Sequence, residues 1–384
     1  MKRTKVLHLA SFDGNIGDNA NHNGMRYFWK NKLPIEFEIT ELEIREFHWK
    51  RRKFDDSFVS LCNQHDLLII GGGNYFELWV ENSRTGTTVD LPPELLQKIE
   101  PPIFFNGLGC DPYKGFSDTS LGKFSRFLDF VLSSDRYFLT VRNDGSKENI
   151  KRLLGEVYSG KITVIPDGGF FVLPNGENFF PEFRNDCSNV LINLAGDMPE
   201  IRFPGELNYS GFVEEFVSFL THLFGISRGM NFIFVPHIFR DYNIINDVLS
   251  GLNDEIRRRF VSVTPYLHGM GKEKHIFDFY RKADLTLGMR FHSNVCSIGL
   301  NTPSIALLTY PKIFYLCKGL GLEDRAVWVN EKGFSEQLIA KTLSSLEQKK
   351  DIKQRYATIK EGLVHDIEIV MGDISSWLER NRLI

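Results

Sequence analysis

Short apolar runs rich in β-branched residues recur along the chain with stretches of helical period between them. That alternation is expected of βα units wound around parallel sheets. In the first half, Lys5–Ala10, Phe37–Ile44, Asp66–Ile70, Ile103–Asn106, Tyr137–Val141 and Ile162–Ile165 are predicted as strands. Asn19–Lys32, Asp56–Gln64, Leu121–Leu132 and Lys147–Leu154 are predicted as helices. Periodicity is lost over PNGENFFPEFRNDCS (Pro174–Ser188), where Pro, Gly and Asn gather, and this predicts a linker. A second series then begins. Val190–Leu194, Phe232–Val235, Phe260–Val263, Asp284–Leu287 and Ser304–Leu308 read as strands, and Gly211–Leu223, Asn243–Leu252, Lys274–Ala283, Ser293–Leu300 and Ser335–Leu346 as helices.

The expected fold class is therefore α/β, with two Rossmann-like doubly wound domains facing a cleft, a GT-B-like architecture. Residues 1–180 form the first domain, 188–350 the second, and 351–384 a helical segment that packs back across a domain surface. Trp377 and Leu378 are the bulkiest apolar pair of that segment.

Composition narrows the function. With 384 residues, 42% hydrophobic and 25% charged, the chain is that of a folded, water-soluble protein. Its 46 basic and 49 acidic residues give a net charge of −3 and no global field for nucleic acid, so any anion site is local. Five cysteines (62, 110, 187, 296, 317) form no C-x-x-C pair, which supports neither a disulfide framework nor a zinc site and fits a reducing compartment. The opening MKRTKVLHLASFDG is broken by Asp13 and Gly14 too early for a signal peptide. A cytoplasmic protein without metal or cofactor is expected. Phe is over-used, at 33 residues against 12 Tyr and 5 Trp; Phe212, Phe216 and Phe219 fall on one helix face, where packing suffices.

Candidate chemistry clusters where predicted strands end. Asn15-Ile16-Gly17-Asp18-Asn19-Ala20 follows the first strand, and Gly14 and Gly17 permit a tight turn with Asp18 or Asn19 capping the next helix. Capping alone explains this segment as well as ligand binding does. Gly71-Gly72-Gly73-Asn74 ends the third strand, where a ligand can approach the main chain; it is neither G-x-G-x-x-G nor a P-loop. Asn106-Gly107-Leu108-Gly109, Val141-Arg142-Asn143-Asp144-Gly145-Ser146 and Pro166-Asp167-Gly168-Gly169 end three more. Arg142 offers a fork for carboxylate or phosphate. In the second half Gly288-Met289-Arg290-Phe291-His292-Ser293 joins a fixed cation and a proton carrier at a helix mouth. Pro236-His237 with Asp241 ends another strand, Asp241 being equally readable as a helix cap.

This ordered set resembles the polysaccharide pyruvyl transferase family. The residues that carry the resemblance are Asn15–Ala20, Gly71–Gly73, Val141-Arg142 with Ser146, Pro166-Asp167, Gly288–His292, Pro303-Ser304-Ile305-Ala306-Leu307 and Tyr310-Pro311-Lys312, spanning about residues 5–320. Phe291 stands where the family often has leucine. The resemblance implies transfer of the pyruvyl unit of phosphoenolpyruvate to sugar hydroxyls as a ketal, on a bacterial exopolysaccharide or capsule or on its lipid-linked precursor. It also implies that Arg142, Arg290 and His292 lie at the donor site. His292 is the candidate general acid/base and Arg290 its cationic neighbour; Asp18 or Asp167 is the partner that deprotonates or holds the acceptor. Asn15, Gly72, Gly73, Asn74, His237, Ser293, Tyr310 and Lys312 complete the expected substrate contacts.

Arg45, Lys50, Arg51, Arg52 and Lys53 interleave with Phe47, His48, Trp49 and Phe54, a basic and aromatic stretch suited to peripheral contact with the inner face of the cell membrane or, equally, a solvated surface. The main alternative function is a GT-B glycosyltransferase using a nucleotide sugar, with Glu323 and Asp324 as ribose-binding candidates. A non-catalytic glycan-binding protein is the third class.

Overall fold

A computed structural model describes residues 2–226 and 229–384. The chain divides into two compact units: Met1–Phe12, Met25–Gly168 and Gly362–Ile384 form the first, and Asp13–Gly24 with Gly169–Glu361 form the second.

The first unit is built on six parallel strands, β1 (Lys2–Ala10), β2 (Ile35–Glu43), β3 (Leu67–Gly71), β4 (Ile103–Leu108), β5 (Tyr137–Arg142) and β6 (Thr163–Ile165), in the order β2-β1-β3-β4-β5-β6. The central strand β3, LLIIG, is buried throughout, because helices cover both faces of a parallel sheet. The edge strand β2, IEFEITELE, carries Glu36, Glu38, Glu41 and Glu43, and such charge on an edge strand discourages edge-to-edge pairing. Phe76, Phe124, Phe127 and Phe105 form an aromatic chain on one face of the sheet. On the other, Trp377 packs against Phe104 and Phe138 at 6.4 and 5.7 Å and donates its indole N–H to the Asp135 carbonyl at 2.7 Å. Trp377 and Leu378 are each 1% exposed, as expected of a segment that packs back.

The second unit carries β7 (Ser188–Asn193), β8 (Met230–Phe234), β9 (Val261–Val263), β10 (Leu285–Gly288), β11 (Ser304–Leu308) and β12 (Ala326–Trp328), in the order β9-β8-β7-β10-β11-β12. This is the dinucleotide-fold order, whose winding reverses between β7 and β10. Phe203, Phe212, Phe216, Phe219 and Phe334 fill one face. Ile16 and Ala20, both fully buried, join Val235, Ile276 and Tyr280 in a core cluster of this unit, which is why Asp13–Gly24 groups here rather than with the strand preceding it.

The boundaries differ from the sequence reading: the first unit ends at Gly168 instead of residue 180 and yields Asp13–Gly24 to the second. Pro174–Ser188 is irregular, but it is a strap and not a free linker: both carboxylate oxygens of the buried Asp278 accept main-chain N–H groups of Gly176 and Glu177 at 3.1 Å, and the Phe180 ring lies 4.2 Å from that of Phe279. The C-terminal helix runs Lys349–Arg380, starting before residue 351, and is divided between the units at Glu361/Gly362 instead of standing apart. Among the described residues no helix is long and apolar enough to cross a membrane.

Candidate active site

In the second unit, the ends of β7 and β10 lie side by side at the reversal of winding, the position where open α/β sheets bind ligands. Asn193 pairs with Gly288 there; its main-chain carbonyl accepts Met289 N–H at 2.9 Å and its Oδ1 accepts Arg290 N–H at 3.0 Å, which fixes Arg290 at the edge. Two aspartates hold the guanidinium. Nε donates to Asp241 Oδ2 at 2.8 Å, and Nη2 donates to Asp197 Oδ1 at 2.7 Å and to Asp241 Oδ1. Nη1 is bonded to none of the described residues.

Asp241 is fully buried and also accepts the N–H groups of Gly196, His237 and Ile238. Burial pushes its carboxyl upward, but Arg290 outweighs burial and the group stays below the usual carboxylate range. Asp197 behaves alike under Arg290 and Arg202. Arg202 reaches Asp197 Oδ1 at 3.1 Å, bonds Thr309 Oγ1 at 3.2 Å and lies 5.1 Å from the Tyr310 ring. Two arginines and two carboxylates thus form one network, and Arg290 is an anchored cation with one open nitrogen instead of an open fork.

His292 occupies the first turn of the helix Phe291–Gly299, all of it buried. Its Nδ1 stands 3.8 Å from Asp18 Oδ1, an ion-pair separation and longer than a hydrogen bond. The helix Ile16–Lys32 delivers Asp18, and Gly17 is what permits the approach: a Cβ at Gly17 would lie 2.6 Å from His292 Cβ. Asn15 builds that turn by accepting Gly17 N–H on Oδ1 at 3.0 Å. The Ser293 hydroxyl donates to the Arg290 carbonyl at 2.9 Å, and Lys312 Nζ lies 5.2 Å from the Phe291 ring centre.

His237 departs from expectation. Its side chain is fully buried, and Nε2 lies 2.6 Å from Tyr280 Oη, so the ring presents no surface to a substrate. Its contribution is through the main chain, where N–H binds Asp241 and C=O accepts Ile16 N–H at 3.2 Å. One residue thereby ties the Arg290 network to the helix that carries Asp18. Burial pushes the ring down to about 3. Between pH 6.5 and 3 the unfolded chain takes a proton here that the folded one refuses, so this contribution to stability is complete above 6.5 and declines below it, by about 1.4 kcal/mol per pH unit. Thermal denaturation from pH 7 to 5 is expected to show that decline in the wild type and a shallower one in His237→Gln; equal slopes would contradict it.

The first unit has its own strand-end cluster. Arg142, ending β5, lies between two buried carboxylates, with Nη2 3.2 Å from Asp144 Oδ2 and Nη1 3.4 Å from Asp167 Oδ2. Asp167, expected as a substrate contact, is 1% exposed and acts as a counter-ion to Arg142. A Cβ at Gly109 would sit 2.6 Å from Arg142 Nη2. Gly72, at φ +86°, donates its N–H to the Asn106 carbonyl at 2.9 Å, and Gly73 C=O accepts Gly109 N–H at 2.9 Å, so the glycine turn is stitched to the neighbouring strand end. Asn74 donates to Glu77 Oε1 at 2.7 Å, which Lys114 Nζ also reaches at 2.5 Å.

Asn15, Asp18, His237, Arg290, His292, Ser293, Tyr310 and Lys312 therefore belong to the second unit, and Gly72, Gly73, Asn74, Arg142 and Asp167 to the first. Sequence reasoning missed Asp197, Arg202 and Asp144. Gly196-Asp197 follows a predicted strand with the signature used for the other loops, and Asp144 lies inside a segment already singled out; nothing local marks Arg202. Asp324 accepts both terminal nitrogens of Arg355 at 2.9 Å, which commits the carboxylate once considered for a ribose. In the basic stretch, Phe47 and Phe54 stack at 4.1 Å and Phe54 is buried, while Trp49 is exposed with Arg51 4.9 Å from its ring centre.

A family model described as polysaccharide pyruvyl transferase matches residues 15–310. Among curated proteins, no sequence matches the chain. Solved structures of similar fold include a candidate UDP-N-acetylglucosamine 2-epimerase from Listeria monocytogenes (12% identity, TM-score 0.62, covering 98% of this chain and 97% of that one). Another is the UDP-GlcNAc 2-epimerase of Neisseria meningitidis bound to UDP-GlcNAc (13%, 0.56, 96% and 99%). A third is a glycosyltransferase from Rickettsia africae (10%, 0.54, 99% and 99%). At such identities the likeness is one of fold, and that fold is GT-B-like.

Proposed function

Because the chain belongs to the polysaccharide pyruvyl transferase family, we propose that it transfers the pyruvyl group of phosphoenolpyruvate to two hydroxyls of a sugar, in a surface polysaccharide or its lipid-linked precursor, and releases phosphate. The observation that carries this reading is the placement of His292, with Asp18 beside Nδ1, on the helix mouth that follows Arg290 at the reversal of winding.

The donor is a small polyanion. Arg290 Nη1, Lys312 and the first N–H groups of the helix Phe291–Gly299 supply positive charge to meet it. His292 donates a proton to the methylene carbon, which turns it into a methyl group and leaves the central carbon electron-poor. One sugar hydroxyl adds there, the bond to the phosphate oxygen breaks, and a second hydroxyl closes the ketal. The two hydroxyl protons balance the reaction: one replaces the proton given to carbon, the other leaves with phosphate. Asp18, facing Nδ1, orients the ring so that Nε2 delivers the proton.

Phosphate released from phosphoenolpyruvate only when a bacterial glycan is added is the expected result. Consumption of a nucleotide sugar without phosphate release would instead indicate a glycosyltransferase, a reading that gains nothing from Asp324 because Arg355 already holds it.

A further inference from the structure

The turn that follows β8 carries Phe239, which is 68% exposed and yet sits at the sheet edge that holds the chemistry. It does not stand alone. Its ring lies edge-on to Tyr242 at 6.0 Å and to Tyr266 at 6.1 Å, and Tyr266 in turn stacks on His268 at 5.6 Å. The four residues come from two strand-end segments and make one aromatic platform.

Rigid links connect this platform to the proposed catalytic groups. The turn is closed by Asp241 N–H to the Ile238 carbonyl at 3.0 Å and Tyr242 N–H to the Phe239 carbonyl at 3.2 Å. Asp241, two residues beyond Phe239, is the carboxylate that grips Arg290. On its other side the platform meets the turn leading to Asp18: Tyr266 Oη donates to the Gly14 carbonyl at 3.3 Å, and His268 Nδ1 is 3.6 Å from Asp13 Oδ1. Apolar exposure of this kind, bordered by His268 and its partner Asp13, is costly to maintain in water and suits a ligand with one apolar face and polar edges. A pyranose is such a ligand, since its C–H groups pack on an aromatic ring while its hydroxyls bond the polar rim.

We propose that Phe239, supported by Tyr242 and Tyr266, is the stacking platform for a pyranose ring of the acceptor. The assignment of that pyranose as acceptor rests on the pyruvyl-transfer reading, but the binding of a pyranose does not. Saturation-transfer NMR of the full chain with the methyl glycosides of glucose, galactose, mannose and N-acetylglucosamine tests it directly. At least one is expected to receive saturation through its ring C–H protons, with the signal falling at least fivefold in Phe239→Ala and kept in Phe239→Trp. No transfer to any of the four in the wild type, or an unchanged signal in Phe239→Ala, would overturn the platform. Kinetics with phosphoenolpyruvate separate the two ideas: if ketal forms, Phe239→Ala raises the acceptor KM about tenfold while the KM for phosphoenolpyruvate changes less than twofold. Sugar binding without any phosphate release would keep the platform and remove the transfer reading.

Discussion

Replacing His292 with glutamine is expected to lower turnover by about 10²–10⁴-fold, the usual contribution of a positioned general acid, with no loss of thermal stability. Glutamine keeps the volume and polarity of the side chain within the first turn of its helix, so the packing against Gly17 is preserved. What it lacks is a proton that can be given to carbon. Asp18→Asn is expected to cost less than His292→Gln, because in the proposed mechanism the carboxylate, 3.8 Å from Nδ1, orients the ring without touching the reacting atoms. Steady-state phosphate release alongside a melting curve checks both. Turnover within threefold of wild type in His292→Gln would remove the residue from the mechanism.

Arg290→Ala is expected to act first on the fold. The change strips the fully buried Asp241 of its counter-charge and leaves Asp197 with Arg202 alone. Breaking a buried pair by deleting one partner costs about 3–5 kcal/mol, and the lower end applies here because Asp241 keeps the N–H groups of Gly196, His237 and Ile238. Urea denaturation should show that loss. A change below about 1 kcal/mol, the scale of an exposed ion pair, would mean that the network is not the stabilising unit described above. Loss of activity in Arg290→Ala is therefore weaker evidence about catalysis than loss in His292→Gln.

The elements were legible because parallel βα units write their period plainly. β3 reads as a strand because it is apolar throughout, and β10 because it runs into Gly288. The short strand β12 and the helix Pro311–Gly319 were not read, since three apolar residues or a proline start carry little periodic signal. Candidate residues were found by one local rule, polar or glycine residues just past a strand, and the rule located Arg142, Arg290 and His292. It could not say what surrounds them. That Arg290 is gripped by two aspartates depends on loops far apart in sequence, with Asp197 and Asp241 lying 93 and 49 residues from it. The same limit explains His237: a histidine at a strand end looks like a ligand contact until the helix bearing Tyr280 is seen to cover it. Much of the phenylalanine excess is core packing, in Phe212, Phe216, Phe219, Phe203 and Phe334, whereas Phe239, Phe179 and Phe116 are exposed.

In the proposed reaction pyruvyl carbon moves from phosphoenolpyruvate to sugar through protonation of the methylene carbon. Incubation with phosphoenolpyruvate labelled with ¹³C at its central carbon, in D₂O with a glycan acceptor, follows both the carbon and the proton. The label is expected in a ketal carbon bonded to two sugar oxygens, beside a methyl group carrying one deuterium, with one phosphate released for each ketal formed. Label recovered only as phosphoenolpyruvate or free pyruvate, with the glycan unmodified, would contradict it.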